Sequence, residues 1–348
     1  MSAAHLVRQE AAMSSTYPDS ATLEKLVSAA VAAPSMHNTQ PWRFRLAADA
    51  PTLEIHATAE RALPYEDPHG RALHIAAGAA LFNLRVAVTH LGWKPVTRLL
   101  PDPHRPGLLA AVRIARQANA RALHATDLYD AIWRRHSSRL PFTEEAVPGL
   151  VLLDLVEAAQ LEGAKLTVPT PHEVERLLRV TAQAEHRSHD DPYRSVESRR
   201  WTGRDETSDS GIPSDALGPQ DAFERMPMRD FSAQRSQERL PSRPFERTPT
   251  LACLATGHDR RSDWLRAGQS LQHVLLVATA HGLRTSLLHQ AMEWPDLRSR
   301  LGNPTAAFDH VHMLIRLGYG PEGAPTPRRA TRMFLDLDEA STPEDPGA

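Results

Sequence analysis

Two helices occur twice in this chain, in the same order, and a sequence that repeats its core helices has few ways to fold. Residues Arg71 to Leu91 place Leu73, Ala76, Ala77, Ala80, Leu81, Leu84, Val88 and Leu91 on one helical face that stops at Gly92. At an offset of 190, Ala77, Gly78, Leu81, Thr89 and Gly92 meet Ala267, Gly268, Leu271, Thr279 and Gly282. A shorter helix over Thr22 to Ala33 has Asp19, Ser20 and Thr22 as candidate caps and Pro34 as its stop. Its Leu23, Leu26, Val27, Ala29 and Ala30 return 129 residues later as Leu152, Leu155, Val156, Ala158 and Ala159. Two matched helices in one order point to a duplication.

Short β-rich runs alternate with these helices: PWRFRL and TLEIHA early, AAVRIA closing the first half, TLACLA and HVHMLIRLGY late. The two offsets differ by 61 residues, which matches a segment from about Arg187 to Pro249 that is rich in Arg, Asp, Ser and Pro. Its composition is that of a disordered linker. The rival reading is a lid anchored by Trp201, Ile212, Met226, Met228 and Phe231, because long irregular insertions in compact domains are often functional. The resulting expectation is an N-terminal extension over 1–20, a first repeat over 21–120, a second repeat over 121–335 with the insertion at 187–249, and a tail over 336–348.

The 348 residues, 41% hydrophobic, suffice for one large or two ordinary domains. A net charge of −2 gives no general attraction to nucleic acid or to anionic membrane, so an anionic partner needs a local cluster of cations. One cysteine, Cys253, excludes an internal disulfide and any paired-cysteine zinc site. With no secretory apolar segment and no long uninterrupted apolar run, the expected location is the cytoplasm. His186, His189, Asp190 and Asp191 could grip a metal, but a solvated entry to the insertion is the better reading; no metal is expected.

The loop after the first helix, VAAPSMHNTQPWRF, crowds Ser35, His37, Asn38, Thr39 and Gln40 into a stretch too short to form a core. The string APSMHNTQPWRF resembles the PS..N.QPW.F signature of the flavin-dependent nitroreductase superfamily. AIWRRHSSRLPF resembles that family's RxS opening, GQSLQHVLLVATAHGL its central helix, and LIRLGYGPEGAPTPRR its closing strand and phosphate-binding arginines. The insertion, with GIP and MPMRDF, resembles the Acg-like, dormancy-associated branch in which two copies are fused. The resemblance implies an α+β, nitroreductase-like fold of two tandem repeats forming a pseudo-dimer, with FMN between them and NADH or NADPH as co-substrate.

Each half keeps only part of the implied site. At the 129 offset, Pro34 and Ser35 fall on Gly163 and Ala164, while Arg135, Ser137 and Arg139 map back onto Leu6, Arg8 and Glu10. One composite site, and one FMN per chain, is therefore expected. By resemblance it would draw on Pro34, Ser35, Met36, His37, Asn38 and Gln40 from the first half. The second would give Arg135, His136, Ser137, Arg139, Arg328 and Arg329, plus Leu288, His289 and Gln290 beside the reactive face of the flavin. Arginine forks suit a phosphate, and serine and asparagine suit the ribityl chain and pyrimidine edge. Trp42, and in part Gln40, are read as structural.

The implied activity is reduction of a small conjugated electron acceptor, a nitro compound or quinone, by a chain that is a monomer or a homodimer. Flavin storage beneath the lid and oxidative dehydrogenation of a metabolite stand as alternatives, and a scaffold without flavin is the weakest reading.

Overall fold

The computed structural model describes residues 18–47, 50–116, 125–204, 208–231, 241–302 and 310–336. The first 17 residues, and with them Leu6, Arg8 and Glu10, lie outside the described residues, as do positions 337–348 of the expected tail.

Helix α1 (Ser20–Val31) starts where Asp19 accepts a hydrogen bond from the Thr22 amide at 2.8 Å, and it buries Leu23, Leu26, Val27 and Ala30. Strands β1 (Trp42–Leu46) and β2 (Thr52–Ala57) lead to the 20-residue α2 (Arg71–His90), followed by β3 (Trp93–Leu99) and β4 (Leu108–Arg116). Helix α3 (Ala125–Arg134) carries the chain to α4 (Gly149–Leu161) and β5 (Lys165–Thr167). Then come α5 (Pro171–Asp190), α6 (Pro192–Trp201), β6 (Thr250–Thr256), the 20-residue α7 (Arg261–Ala280) and β7 (Arg284–Leu288). The chain closes with α8 (Pro295–Ser299), β8 (His310–Gly318) and β9 (Leu335–Asp336).

The main sheets share a strand order. One runs β9-β1-β2-β4-β3 and the other β5-β6-β8-β7, antiparallel throughout except where β9 joins β1 in parallel. Helices α2 and α7 lie between them, buried on almost every side as helices of a molecular centre must be. They touch backbone to backbone: a Cβ added to Gly78 would fall 2.2 Å from the Leu265 carbonyl oxygen, and one added to Gly268 would fall 2.1 Å from that of Ile75. Gly78 and Gly268, like Ile75 and Leu265, are 190 residues apart. Only glycine permits this approach at either position. Among the described residues, α2 is also the one helix long and apolar enough to cross a membrane, but 78% of that stretch is buried in the protein.

One of the two sequence readings of the insertion does not hold. The part of 187–249 that is described is packed, which overturns the linker reading for it: α5 runs on to Asp190, α6 follows, and Ile212, Met226, Met228 and Phe231 are buried. A Thr170–Glu173 capping box starts α5, and Val174, Leu177, Val180 and Ala184 form its buried stripe. Asp191, instead of joining a metal cluster, caps α6 by accepting from the amides of Tyr193 and Arg194. No metal-binding group of side chains occurs among the described residues.

Elements that follow residue 121 also pack against the first sheet. Ala131 and Ile132 of α3 sit in the core beneath the first sheet, and so does Phe334, whose carbonyl accepts from the Phe44 amide at 2.7 Å. The arm after β8 thus returns to the first half, and residue 335 belongs to the first sheet.

Candidate functional site

A cavity of about 960 Å³ opens between α2, strands β7 and β8, and the insertion. A smaller one of about 40 Å³ adjoins it, sharing Pro34, Ser35, Ser137, Arg139 and Ile212. Met36, His37, Leu288, His289 and Gln290 line the large cavity, and Asn38, Arg135, His136 and Arg328 line the small one. Gln40 and Arg329 line neither. Gln40 donates to the Asp209 carbonyl at 3.0 Å and accepts from the Arg329 amide, while the Arg329 guanidinium lies 3.6 Å from Asp209 and over Phe334. Both are fastenings for the returning arm.

The 34–40 loop is held in an unusual backbone. His37, Asn38 and Gln40 all have positive φ, at 49°, 54° and 52°. Such a cluster of left-handed non-glycine residues persists only where surrounding contacts fix it. Those contacts come from three parts of the chain. Ser35 Oγ accepts from the Gln40 amide at 2.9 Å, and Asn38 Nδ2 donates to the carbonyls of Gly211 and Pro327. Asn38 Oδ1 accepts from Arg328 at 3.0 Å. The Asn38 side chain thus fastens the insertion and the arm while it lines the small cavity.

At the small cavity three arginines converge without an acid among the described residues. Arg135 is 4% exposed, and among the described residues its Nε and Nη1 have no hydrogen-bond partner and its Nη2 reaches only the Ala32 carbonyl at 3.4 Å. Burial pulls its guanidinium down to about 10. Arg139 donates to the Ala216 carbonyl and lies over Phe231, and Arg328 donates to the carbonyls of Val31, Ala32 and Ala33 and to Asn38. Burial lowers both, and Arg328 is lowered further by Arg135 beside it. Burial, then Arg135 and Arg328, also push the His136 imidazole down. Buried cations left unsatisfied are costly, so the arrangement suits an anion with several acceptor oxygens.

The wall of the large cavity is the opposite case. Arg229, from the insertion, bonds Glu66 at 3.0 Å and also Glu293, which takes Arg194 at 3.0 Å and His289 Nδ1 at 2.8 Å. His37 Nε2 pairs with Glu66. Burial works against the Glu66 charge, yet His37 and Arg229 hold its carboxyl well below the usual carboxylate range. An ionised carboxylate only accepts, so the hydrogens in these contacts sit on His37 Nε2 and His289 Nδ1. The sequence reading contained neither Glu66, Arg194, Arg229 nor Glu293 as site residues. The arginine–carboxylate contacts among them span 64 to 163 positions, a separation no local pattern reveals.

A nitroreductase family model matches residues 132–319, just over half of the chain. Two Mycobacterium tuberculosis proteins, both carrying the name "putative NAD(P)H nitroreductase", match nearly end to end. Rv3131 is 31% identical over 94% of this chain and 95% of its own length. The chain belongs to the nitroreductase family. The second relative, acg, is 30% identical over 90% of this chain and 94% of its own length. Among solved structures, the FMN-dependent nitroreductase NfnB from Mycobacterium smegmatis in complex with NADPH is 18% identical. Its TM-score is 0.39, with 60% of this chain and 96% of that one covered. A nitroreductase with bound FMN from Bacteroides fragilis is 19% identical with a TM-score of 0.34, covering 58% and 92%. At those scores the likeness carries nothing about chemistry.

Proposed function

We propose that this chain is an FMN-binding oxidoreductase that draws on NADH or NADPH to reduce a small conjugated acceptor, at one composite site shared by two repeats. The observation that carries the reading is the trio of arginines, Arg135 buried and Arg139 and Arg328 half-buried, with no acid among the described residues, above all the two orphaned nitrogens of Arg135. The FMN phosphate carries about two negative charges and several acceptor oxygens, and each charge-assisted bond from arginine is worth about 1.5–3 kcal/mol. Arg135, Arg139, Arg328 and the Ser137 hydroxyl would hold it, with Ser35 and Pro34 between the two cavities. The large cavity stands at the upper end of ligand-site volumes and has room for a ring system and a second molecule. Bound there, FMN would supply hydride transfer, chemistry that belongs to the cofactor. The protein's part is to orient, to handle protons and to exclude water through Ile212, Met228 and Phe231.

The insertion also favours a second reading, storage of flavin beneath a closed cover, because Arg229 ties it to Glu66 of the first half and Glu293 of the second. An anaerobic titration separates the two. Bleaching of the bound flavin by NADPH or NADH within seconds supports the oxidoreductase, and bleaching by dithionite alone supports storage. A colourless chain that takes up no FMN contradicts both.

A further inference from the structure

His289 follows β7 and lines the large cavity with a side chain that is 22% exposed. Its Nδ1–H is held by Glu293 at 2.8 Å, and among the described residues its Nε2 makes no hydrogen bond. A carboxylate on one ring nitrogen fixes the tautomer and leaves the other nitrogen free to exchange a proton. Glu293 is itself immobilised by Arg194 of α6 and Arg229 of the insertion. His37, the other histidine of this wall, is worse placed: its side chain is 1% exposed and its Nδ1 is buried without a partner among the described residues. The two rings meet edge to face at 6.2 Å.

We propose that His289 is the catalytic residue that donates the proton to the acceptor, through Nε2, with Glu293 as its positioning residue. The inference rests on the oxidoreductase reading above. For a quinone or another conjugated carbonyl, the hydride given up by the nicotinamide arrives at one end of the conjugated system. The displaced π pair collects on the oxygen at the other end. A new O–H bond forms there as the Nε2–H bond breaks. The nicotinamide leaves oxidised by two electrons, the acceptor leaves as its dihydro form, and His289, now neutral with Nδ1–H still on Glu293, regains a proton from water. The insertion thereby becomes part of the machinery, since Arg229 balances the charge of Glu293.

The charged and titratable groups facing His289 are Glu293 from its own loop, Arg229 from the insertion, His37 and Glu66 from the first half, and Arg194 from α6. Burial, then Arg229, push the imidazole below its ordinary value, against the pull of Glu293. The protonated donor therefore becomes more abundant as pH falls through a range below that of an ordinary histidine.

The test uses full-length, flavin-loaded protein reduced with dithionite and mixed with either benzoquinone, which must take up protons, or ferricyanide, which takes none. His289→Asn keeps an N–H for Glu293 and removes the exchangeable nitrogen. It should slow reoxidation by benzoquinone about 10²-fold, the lower end for general acid catalysis, and by ferricyanide less than about threefold. The wild-type benzoquinone rate should rise toward acid pH, and the variant's should not. His289→Gln, which places an amide near the Nε2 position, should lower kcat more than it raises KM. In the flavin-free chain, ¹⁵N NMR should show Nδ1 keeping its proton while Nε2 titrates. Equal slowing of both acceptors, an unaltered benzoquinone rate or an Nε2 that never titrates would overturn the assignment. A chain that binds no flavin, or whose flavin nicotinamide cannot reduce, removes the reading beneath it and the assignment with it. A flavin-loaded His289→Asn protein with wild-type benzoquinone kinetics removes the histidine alone.

Discussion

The two ends of the cavity system handle buried charge in opposite ways. Around Arg229, each guanidinium meets carboxylate: Arg229 and Arg194 stand against Glu66 and Glu293, with His37 and His289 as hydrogen-bond donors at either side. Around Arg135, three guanidinium groups meet carbonyls and aromatic faces but no acid among the described residues. The first end pairs every charge and ties three parts of the chain together, although Arg229 Nε and His37 Nδ1 are buried without a hydrogen-bond partner among the described residues. The second is incomplete without an anion. A closed ion-pair network reads as architecture and proton management, while an open cationic pocket reads as a place for a ligand.

The sharpest way to break the comparison is to remove a cation from each end and ask what is lost. Arg229→Met leaves Glu66 and Glu293 buried without their shared partner, and breaking a buried pair costs about 3–5 kcal/mol. Urea unfolding of the flavin-free chain should show a loss of that size. Arg135→Ala should leave flavin-free stability unchanged or slightly raised, because it removes an unsatisfied group. The same substitution should weaken FMN binding by about 1.5–3 kcal/mol, roughly 10- to 100-fold. If both substitutions destabilise the flavin-free chain alike, the distinction between the ends fails.

A smaller effect lies in the acid range. Glu66 binds its proton more weakly folded than unfolded, so its contribution to stability is present above the usual carboxylate range and is lost as pH falls through that range toward its depressed folded value. Glu66→Gln should flatten that part of the stability profile, measured by urea midpoints between about pH 6 and 3, where ordinary carboxyls titrate. A profile unchanged by the substitution would mean that the His37 and Arg229 contacts do not stabilise the charge.

The sequence announced what is local and periodic. Helices α1, α2 and α7 declared themselves through apolar spacing, and the PSMHNTQPW and RRHSSR strings hold most of the residues that line the small cavity but only a minority of those that line the large one. Strand β3 escaped notice because WKPVTRL carries two cations and a proline, and its edge position in the first sheet tolerates them. The start of α5 was legible at HEVER, but its C-terminal end beyond Arg187 and the whole of α6 were hidden by a charge-rich composition whose buried stripe is narrow. The Glu66–Arg229–Glu293 network was illegible for a different reason: it is a tertiary fact, made by residues whose neighbours in sequence say nothing about them. Asn38 shows the same limit from the other side: its motif marks it for the cavity, but nothing in the motif foretells that its side chain bonds the arm and the insertion.

The central claim is that Arg135 and its neighbours hold one flavin phosphate per chain, at a site neither half completes alone. The most direct measurement is the FMN released on denaturation per mole of chain, in the wild type and in Arg135→Ala after the same dialysis. One equivalent from the wild type and a clear loss from the variant are the expected pair of numbers. Two equivalents, none, or equal retention by both proteins would contradict the account.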